Sequence, residues 1–266
     1  MVNVNISSNS KTAQEGHRQR GVQSIHRAVL MLRIVSQDSE HGLTLSRIAK
    51  IAGLKLSTAH RILSALIQEG LLNLNPETKR YRPGFELFAL GRSANQFLIR
   101  DTYRPALESI AGKTCDTAYL IIRDGYDSLC IDRVEGASPL RLLLDVGARR
   151  PLGMGAASLS LFAFSSDETV EKILRFNEMR IHDYSGMGLA DMRKLVAKCR
   201  KRGYALTKGV IDRGVTGIGV PLYNRKNEIR GAISVAAISE KIDKSRYDDI
   251  AALIKAEVDK TYQTQD

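Results

Sequence analysis

The chain has 266 residues, 43% of them hydrophobic, and a formal net charge of +11. The apolar content excludes wholesale disorder, the length suits one small and one medium domain, and no apolar run is long enough for a transmembrane helix or a signal peptide. The charge is uneven: residues 1–85 hold 12 basic against 5 acidic side chains and the remainder 28 against 24, which points to nucleic acid as the partner of the N-terminal third.

Residues 1–20 are polar and read as a mobile arm. A helix is expected from a Ser24 cap to Gln37, with Ile25, Ala28, Val29, Leu32 and Val35 on one face and Arg27 off it, available to a DNA backbone. Thr44 then stands as a cap before Leu45, Ile48, Ala49 and Ala52, and Gly53 ends that pattern where a left-handed residue is wanted. Ser57 is read as the cap of the next helix, whose stripe is Ala59, Ile62, Leu63, Leu66 and Ile67. Arg61 and Ser57 fall opposite that stripe, with Thr58 and His60 on its flanks. Two short helices joined by a glycine-containing turn read as a helix–turn–helix. A short, singly basic face without carboxylates suits a major groove, where arginine reads guanine and small hydroxyls hold phosphate. Leu71–Asn75 and Lys79–Arg82 read as a hairpin, a wing on which Lys79, Arg80 and Arg82 seek phosphates together with Lys55.

Glu86–Arg100 reads as an amphipathic linker helix. Its apolar stripe suits either self-association or packing on the C-terminal domain. From Asp101 to Asp266 the pattern becomes mixed. Helices are expected at Tyr103–Lys113, Ala156–Phe164, Asp167–Asn177, Leu189–Arg202 and Lys244–Tyr262. Strands are expected at Ala118–Arg123, Ser128–Val134, Leu140–Val146, Val215–Tyr223 and Ile229–Ile238. Hairpin-linked strands flanked by helices give an α+β domain with a largely antiparallel sheet. Cys115, Cys130 and Cys199 are odd in number and widely spaced, so they read as buried small hydrophobes in a reducing cytoplasm, not as disulfides or zinc ligands. The histidines show no metal-ligand spacing, and no cofactor is expected.

Several of these strings together resemble the IclR family of bacterial transcriptional regulators over residues 22–260. They are Val22-Gln-Ser-Ile-His-Arg-Ala, Thr44-Leu-Ser-Arg-Ile-Ala, Ser57-Thr-Ala-His-Arg-Ile-Leu and Glu69-Gly-Leu-Leu with Tyr81-Arg-Pro-Gly. The C-terminal half adds Val146-Gly-Ala-Arg-Arg-Pro-Leu, Arg202-Gly-Tyr-Ala-Leu, Gly217-Ile-Gly-Val-Pro-Leu and Ala232-Ile-Ser-Val. The resemblance implies a winged helix–turn–helix, a GAF-like effector-binding domain, and homodimers or homotetramers; with the element pattern, the expected division is 21–85 for the first, 86–100 for the linker helix and 101–266 for the second. Two departures stand out. Thr207, Lys208 or Gly209, and Gly217 occupy places where members often carry an acidic pair and a cysteine; Ser158, Leu159 and Ser160 replace the usual Gly-Lys-Ala.

The run Gly153-Met154-Gly155-Ala156-Ala157-Ser158 enters a helix, where small residues admit a ligand to free backbone N–H groups and the helix dipole favours a carboxylate. A plain tight loop is the alternative. The resemblance puts a pocket between Met154, Gly155, Ala156 and Ala157 and the strands around Gly217–Ile218 and Ser234–Ala236, with Ser234 as a hydroxyl donor. Arg149 and Arg150 either draw an anionic metabolite in or remain surface charge. His182-Asp-Tyr-Ser offers triad residue types, yet proximity in sequence is not triad geometry, and a polar surface loop is the favoured reading. No nucleophile elbow, metal motif or P-loop occurs. The expected function is therefore an oligomeric, non-enzymatic regulator that binds a pseudo-palindromic operator in double-stranded DNA and responds to a small carboxylate-bearing metabolite, with no membrane partner. A ligand-blind architectural DNA binder and a cytosolic enzyme with a basic accessory domain remain alternatives.

Overall fold

The computed structural model describes residues 22–38, 40–92, 96–137, 144–211 and 213–263. The expected arm, residues 1–20, lies outside the described residues. Two compact units divide after Asn95.

The first unit runs α1 (Gln23–Ser36), β1 (Leu43–Thr44), α2 (Leu45–Ala52), α3 (Leu56–Gln68), β2 (Leu72–Leu74), β3 (Arg80–Pro83) and α4 (Phe85–Arg92). The three helices close around Met31, Ile34, Ile48, Ala59, Leu63 and Leu72, all buried. The buried side of α1 differs from the expected stripe. Met31, Ile34 and Val35 point inward, whereas Ile25 and Val29 are 62% and 39% exposed. Apolar residues encircle this helix, so spacing alone offers two overlapping stripes and packing selects one. Its N-cap is Val22, not Ser24. Thr44 does occupy the extended N-cap of α2, but its hydroxyl lies 3.2 Å from that of Ser46 and caps no N–H. Lys55, not Ser57, is the N-cap of α3, which leaves Ser57 in the first turn. Gly53 is left-handed as expected, with φ 63°, and the Leu54 N–H bonds back to the Ala49 carbonyl at 3.0 Å. β3 pairs antiparallel with both β2 and β1, so the wing is a three-stranded sheet in the order β1-β3-β2. Two residues were too few for alternation to reveal β1.

The second unit begins with α5 (Gln96–Thr114), which extends the expected Tyr103–Lys113 helix towards its N-terminus. The expected linker Glu86–Arg100 is thus described as α4 and the first turn of α5, with 93–95 outside the described residues. β4 (Thr117–Asp124), β5 (Asp127–Val134), β6 (Arg149–Pro151), α6 (Ala156–Ala163), α7 (Asp167–Ser185), α8 (Leu189–Arg202), β7 (Ala205–Lys208), β8 (Val215–Tyr223), β9 (Ile229–Ile238) and α9 (Arg246–Gln263) follow. All the ladders are antiparallel, in the order β6-β5-β4-β9-β8-β7. Of the expected strand Leu140–Val146, residues 140–143 lie outside the described residues and Leu144–Val146 form no strand. His182-Asp-Tyr-Ser is no loop but the last turn of α7, which runs eight residues past Asn177 to a left-handed Gly186.

Alternation gives the sheet two different faces. Ala118, Leu120, Ile218, Val220, Ile233 and Val235 pack on α5 and α9. Tyr119, Ile121, Cys130 and Ala232 face the layer of α6, α7 and α8, where Phe162, Ile173 and Met192 are buried. A bulge in the β4–β5 ladder sets Asp132 opposite Leu120 but Cys130 opposite Ile121. The buried Asp132 carboxylate thereby meets Arg104 of α5 at 3.0 Å. All eight residues of α6 are buried. The helix lies so close to β8 that a Cβ on Gly219 would sit 2.4 Å from the Ala156 carbonyl oxygen. Cys130 and Cys199 are buried as expected; Cys115, just past α5, is exposed.

Candidate DNA interface and effector pocket

On α3 the packing separates two populations. Ala59, Leu63 and Leu66 are buried, while Ser57, His60 and Arg61 are exposed and Thr58 is half-buried. No residue of α3 is acidic, so nothing on the helix itself opposes a phosphate backbone. Lys55 is exposed just before it. Arg27 on α1 and Thr44 before α2 are half-buried.

The wing bases divide. Lys79 and Arg82 are exposed, whereas Arg80 is half-buried and donates from Nη1 to the Gly42 carbonyl at 2.8 Å, fastening the wing to the start of β1. The turn between β2 and β3 is held by the Asn75 side chain, whose Oδ1 accepts from the Glu77 and Thr78 N–H groups at 3.0 and 2.8 Å. It delivers Lys79 in a left-handed conformation, φ 53°.

The second unit contains a cavity of about 700 Å³, mouth included, between the sheet and the start of α6. Met154, Gly155, Ala156 and Ala157 line it, as do Gly217, Ser234 and Ala236. Ile218 does not. Neighbours on a strand point to opposite faces, and Ile218 is fully buried against α5 and α9. The sequence reading missed Tyr119, Ile121 and Cys130 on the floor and Thr207, Val210 and Ile211 at one end. The first two carried a local signal: in Ala118-Tyr-Leu-Ile, every second residue faces the same way. Cys130 and Thr207 arrive through strand pairing, and Val210 and Ile211 through the irregular segment between β7 and β8.

The polar groups of this cavity are unequal. Gly155 is the N-cap of α6 with φ 92°, and no side chain caps the helix, so its first N–H groups face the cavity end without an intrahelical partner. The Ser158 hydroxyl is committed to the loop and accepts the Gly153 N–H at 2.9 Å. Cys130 is a neutral thiol, pushed up to about 12 by burial. Burial also drives the Tyr119 phenol well above its usual range; its side chain is 96% buried, being 4% exposed, and its hydroxyl has no hydrogen-bond partner among the described residues. At the mouth the two loop arginines part company. Arg149 binds Asp124 at 2.8 Å, while Arg150, half-buried and lining the cavity, makes no ion pair among the described residues. No described residue of the lining is acidic.

Among the described residues no group of three His, Cys, Asp or Glu side chains could hold a metal ion, and no helix is long and apolar enough to cross a membrane.

Residues 24–76 match the family model described as the IclR helix-turn-helix domain, and residues 92–261 match bacterial transcriptional regulator IclR C-terminal. The chain is 26% identical to the HTH-type transcriptional regulator KipR of Bacillus subtilis over 80% of its own length and 86% of that protein's. It is 30% identical to the glycerol operon regulatory protein of Streptomyces griseus, covering 84% of this chain and 87% of that one. Among solved structures, an IclR homologue from Microbacterium hydrocarbonoxydans complexed with 4-hydroxybenzoate shares the fold at a TM-score of 0.73. It is 22% identical, over 88% of this chain and 98% of that chain.

Proposed function

The chain belongs to the IclR family of bacterial transcriptional regulators, and from that membership we propose how it reads DNA and what it senses. It is a DNA-binding regulator built from a helix-turn-helix domain and an effector-binding domain. In the proposed reading it acts in the cytoplasm, without catalysing a reaction, as a homodimer or homotetramer on a pseudo-palindromic operator. The domains of this reading are an arm over 1–20, the winged reader over 21–85, a linker over 86–100 and the effector domain over 101–266. Exposed Ile25 and Val29 on α1 and Phe85 and Phe88 on α4, the last two 78% and 59% exposed, support self-association.

One observation carries the DNA reading: the solvent face of α3 presents Arg61 with Ser57 and His60 and no carboxylate, directly opposite a buried face. Arg61 reads a base edge, Ser57, Thr58 and His60 support it, and Lys55, Lys79 and Arg82 hold phosphates, with Arg27 and Thr44 at the margins. Arg80 contributes by stiffening the wing. The effector is a small carboxylate whose anionic end meets the uncapped start of α6, beside Gly217 and Ser234. The 4-hydroxybenzoate held by the Microbacterium homologue is a ligand of this class.

Selection of binding sites from random duplexes, followed by titration of the selected duplex with and without small carboxylates at two salt concentrations, tests this reading. Enrichment of a two-fold symmetric site whose affinity changes with a carboxylate is the expected result. Binding without sequence preference and blind to ligand would replace the reading with an architectural role; turnover of a metabolite without specific binding would replace it with an enzyme.

A further inference from the structure

We infer that the effector cavity has a second anion anchor, formed by Arg150 and the Tyr119 hydroxyl, and that it selects dicarboxylates over monocarboxylates. This rests on reading the cavity as the effector site.

The two anchors come from different ends of one face of the sheet. Arg150 lies on edge strand β6, paired with Ser128 of β5. The start of α6 lies over β8, where a Cβ on Gly217 would meet that of Ala156 at 2.9 Å. Three strands, β5, β4 and β9, stand between β6 and β8. At about 4.8 Å per strand the two backbones would be roughly 19 Å apart on a flat sheet. Arg150 and the first residues of α6 nonetheless line one cavity. Tyr119, on the central strand β4, stands between them and is paired with Ser234 of β9. Between the ends, Ile121, Leu144, Met154 and Ile211 supply apolar wall, with the hydroxyl residues Ser128, Thr207 and Ser234 among them.

The chemistry at each end is that of a donor without an acceptor. The α6 terminus has backbone N–H groups and no capping side chain. The Tyr119 hydroxyl is buried and has no partner among the described residues, and leaving such a group unpaired is costly unless a ligand accepts from it. Arg150 keeps a charge that its neighbour Arg149 has spent on Asp124. The Cys130 thiol already donates to the Asp132 carbonyl at 3.5 Å, and the Ser158 oxygen accepts the Gly153 N–H at 2.9 Å. A ligand with one carboxylate would satisfy one end and leave the other with a cation that has no anion among the described residues. A carboxylate at each end satisfies both, with methylene or ring carbon against the walls. Arginine offers the fork geometry that a second carboxylate accepts.

The test is calorimetric titration of the full-length protein with straight-chain α,ω-dicarboxylates of four to eight carbons and with the monocarboxylates of matching length. A dicarboxylate of one favoured length should bind at least about 10-fold more tightly than its monocarboxylate, the range expected for a charge-assisted pair. Arg150→Met should erase that preference, weakening the dicarboxylate far more than the monocarboxylate until the two bind alike. Arg150→Lys should keep part of the preference, and Tyr119→Phe should reduce it, each variant being checked by its unfolding temperature. Equal binding of the two series by the unaltered protein overturns the inference and leaves the carboxylate reading intact. Equal weakening of both series by Arg150→Met overturns it too, since Arg150 would then act only as general charge. Failure of both series to bind overturns the carboxylate reading itself.

Discussion

Helices α3 and α6 are both short, both begin without a capping side chain, and carry opposite designs. α3 buries one side and shows the other, so its function is written in outward side chains. α6 is buried all round, and what it offers is backbone at its N-terminus and the space left by small residues. A reader of DNA must reach out to a partner larger than itself. A small-molecule sensor surrounds its partner, and the glycines of β8 exist because α6 has to lie almost on the strand.

The largest expected effects follow from that contrast. Leu63→Ala removes a fully buried side chain of α3 and should cost about 2–5 kcal/mol, melting the first unit while the second keeps its own transition. Gly219→Ala should do the reverse. Its Cβ would lie 2.4 Å from the Ala156 carbonyl oxygen, in backbone that cannot swing aside. A cost of about 1–3 kcal/mol or more is expected in the second unit alone, read by calorimetry of the full chain. A single merged loss in both variants would show that the two units do not unfold as separate bodies.

Next comes the reading face. Arg61→Ala should leave the unfolding temperature nearly unchanged, because the side chain is exposed, and should cost about 1–3 kcal/mol of discrimination between operator and random DNA. Equal losses on both DNAs would remove Arg61 from the base-reading role.

The contrast between α3 and α6 also explains what could be foreseen. A half-buried helix prints its orientation in the sequence every 3.6 residues, so Ala59, Leu63 and Leu66 are legible as core, and Ser57 and Arg61 as face. Where a helix is apolar on several sides, as α1 is, the pattern no longer decides, and Ile25 and Val29 fall on the wrong side of the expectation. From the residues themselves the cavity is legible only where it is local, and Gly217, Ser234 and Ala236 come from the family resemblance. The glycine-rich entry to α6 announces itself, and seven of the eight expected lining residues reach the cavity. Ile218 fails because Gly217 and its strand neighbour cannot share a face. Thr207 reaches the cavity through its pairing with Gly217 of β8, and Val210 through the irregular segment that follows β7, neither of which alternation prints. Short strands such as β6 and β7 give too few residues for alternation to register.

A smaller, pH-dependent effect belongs to the sensor unit. Glu257 on α9 accepts from Lys113 of α5 at 2.8 Å and from Lys260 at 2.7 Å. The Lys113 bond first, then the Lys260 bond, hold its carboxyl down at about 2, against an ordinary glutamate near 4.5. A depressed carboxyl stabilises the fold above its unfolded value. That stabilisation fades as pH falls from about 4.5 towards 2. Glu257→Gln should therefore lower the melting temperature of the second unit at pH 6 and flatten its acid limb. The first unit's transition should not move. An unchanged acid limb in the variant would show that other carboxylates govern it.

The smallest effect separates charge from geometry in the wing. Lys79 carries a positive φ of 53°, a conformation that costs any side chain about 1–2 kcal/mol and costs glycine little. Lys79→Ala keeps that strain and loses the charge; Lys79→Gly loses both. If the wing grips phosphate through the ammonium group, both variants weaken operator and random DNA alike and lower the salt slope by about 1. Only the glycine variant should raise the unfolding temperature of the first unit. Should the glycine variant instead bind as well as the unaltered chain, the contribution of this turn to DNA binding would be its shape, set by Asn75, and the phosphate grip would rest on Arg82 and Lys55.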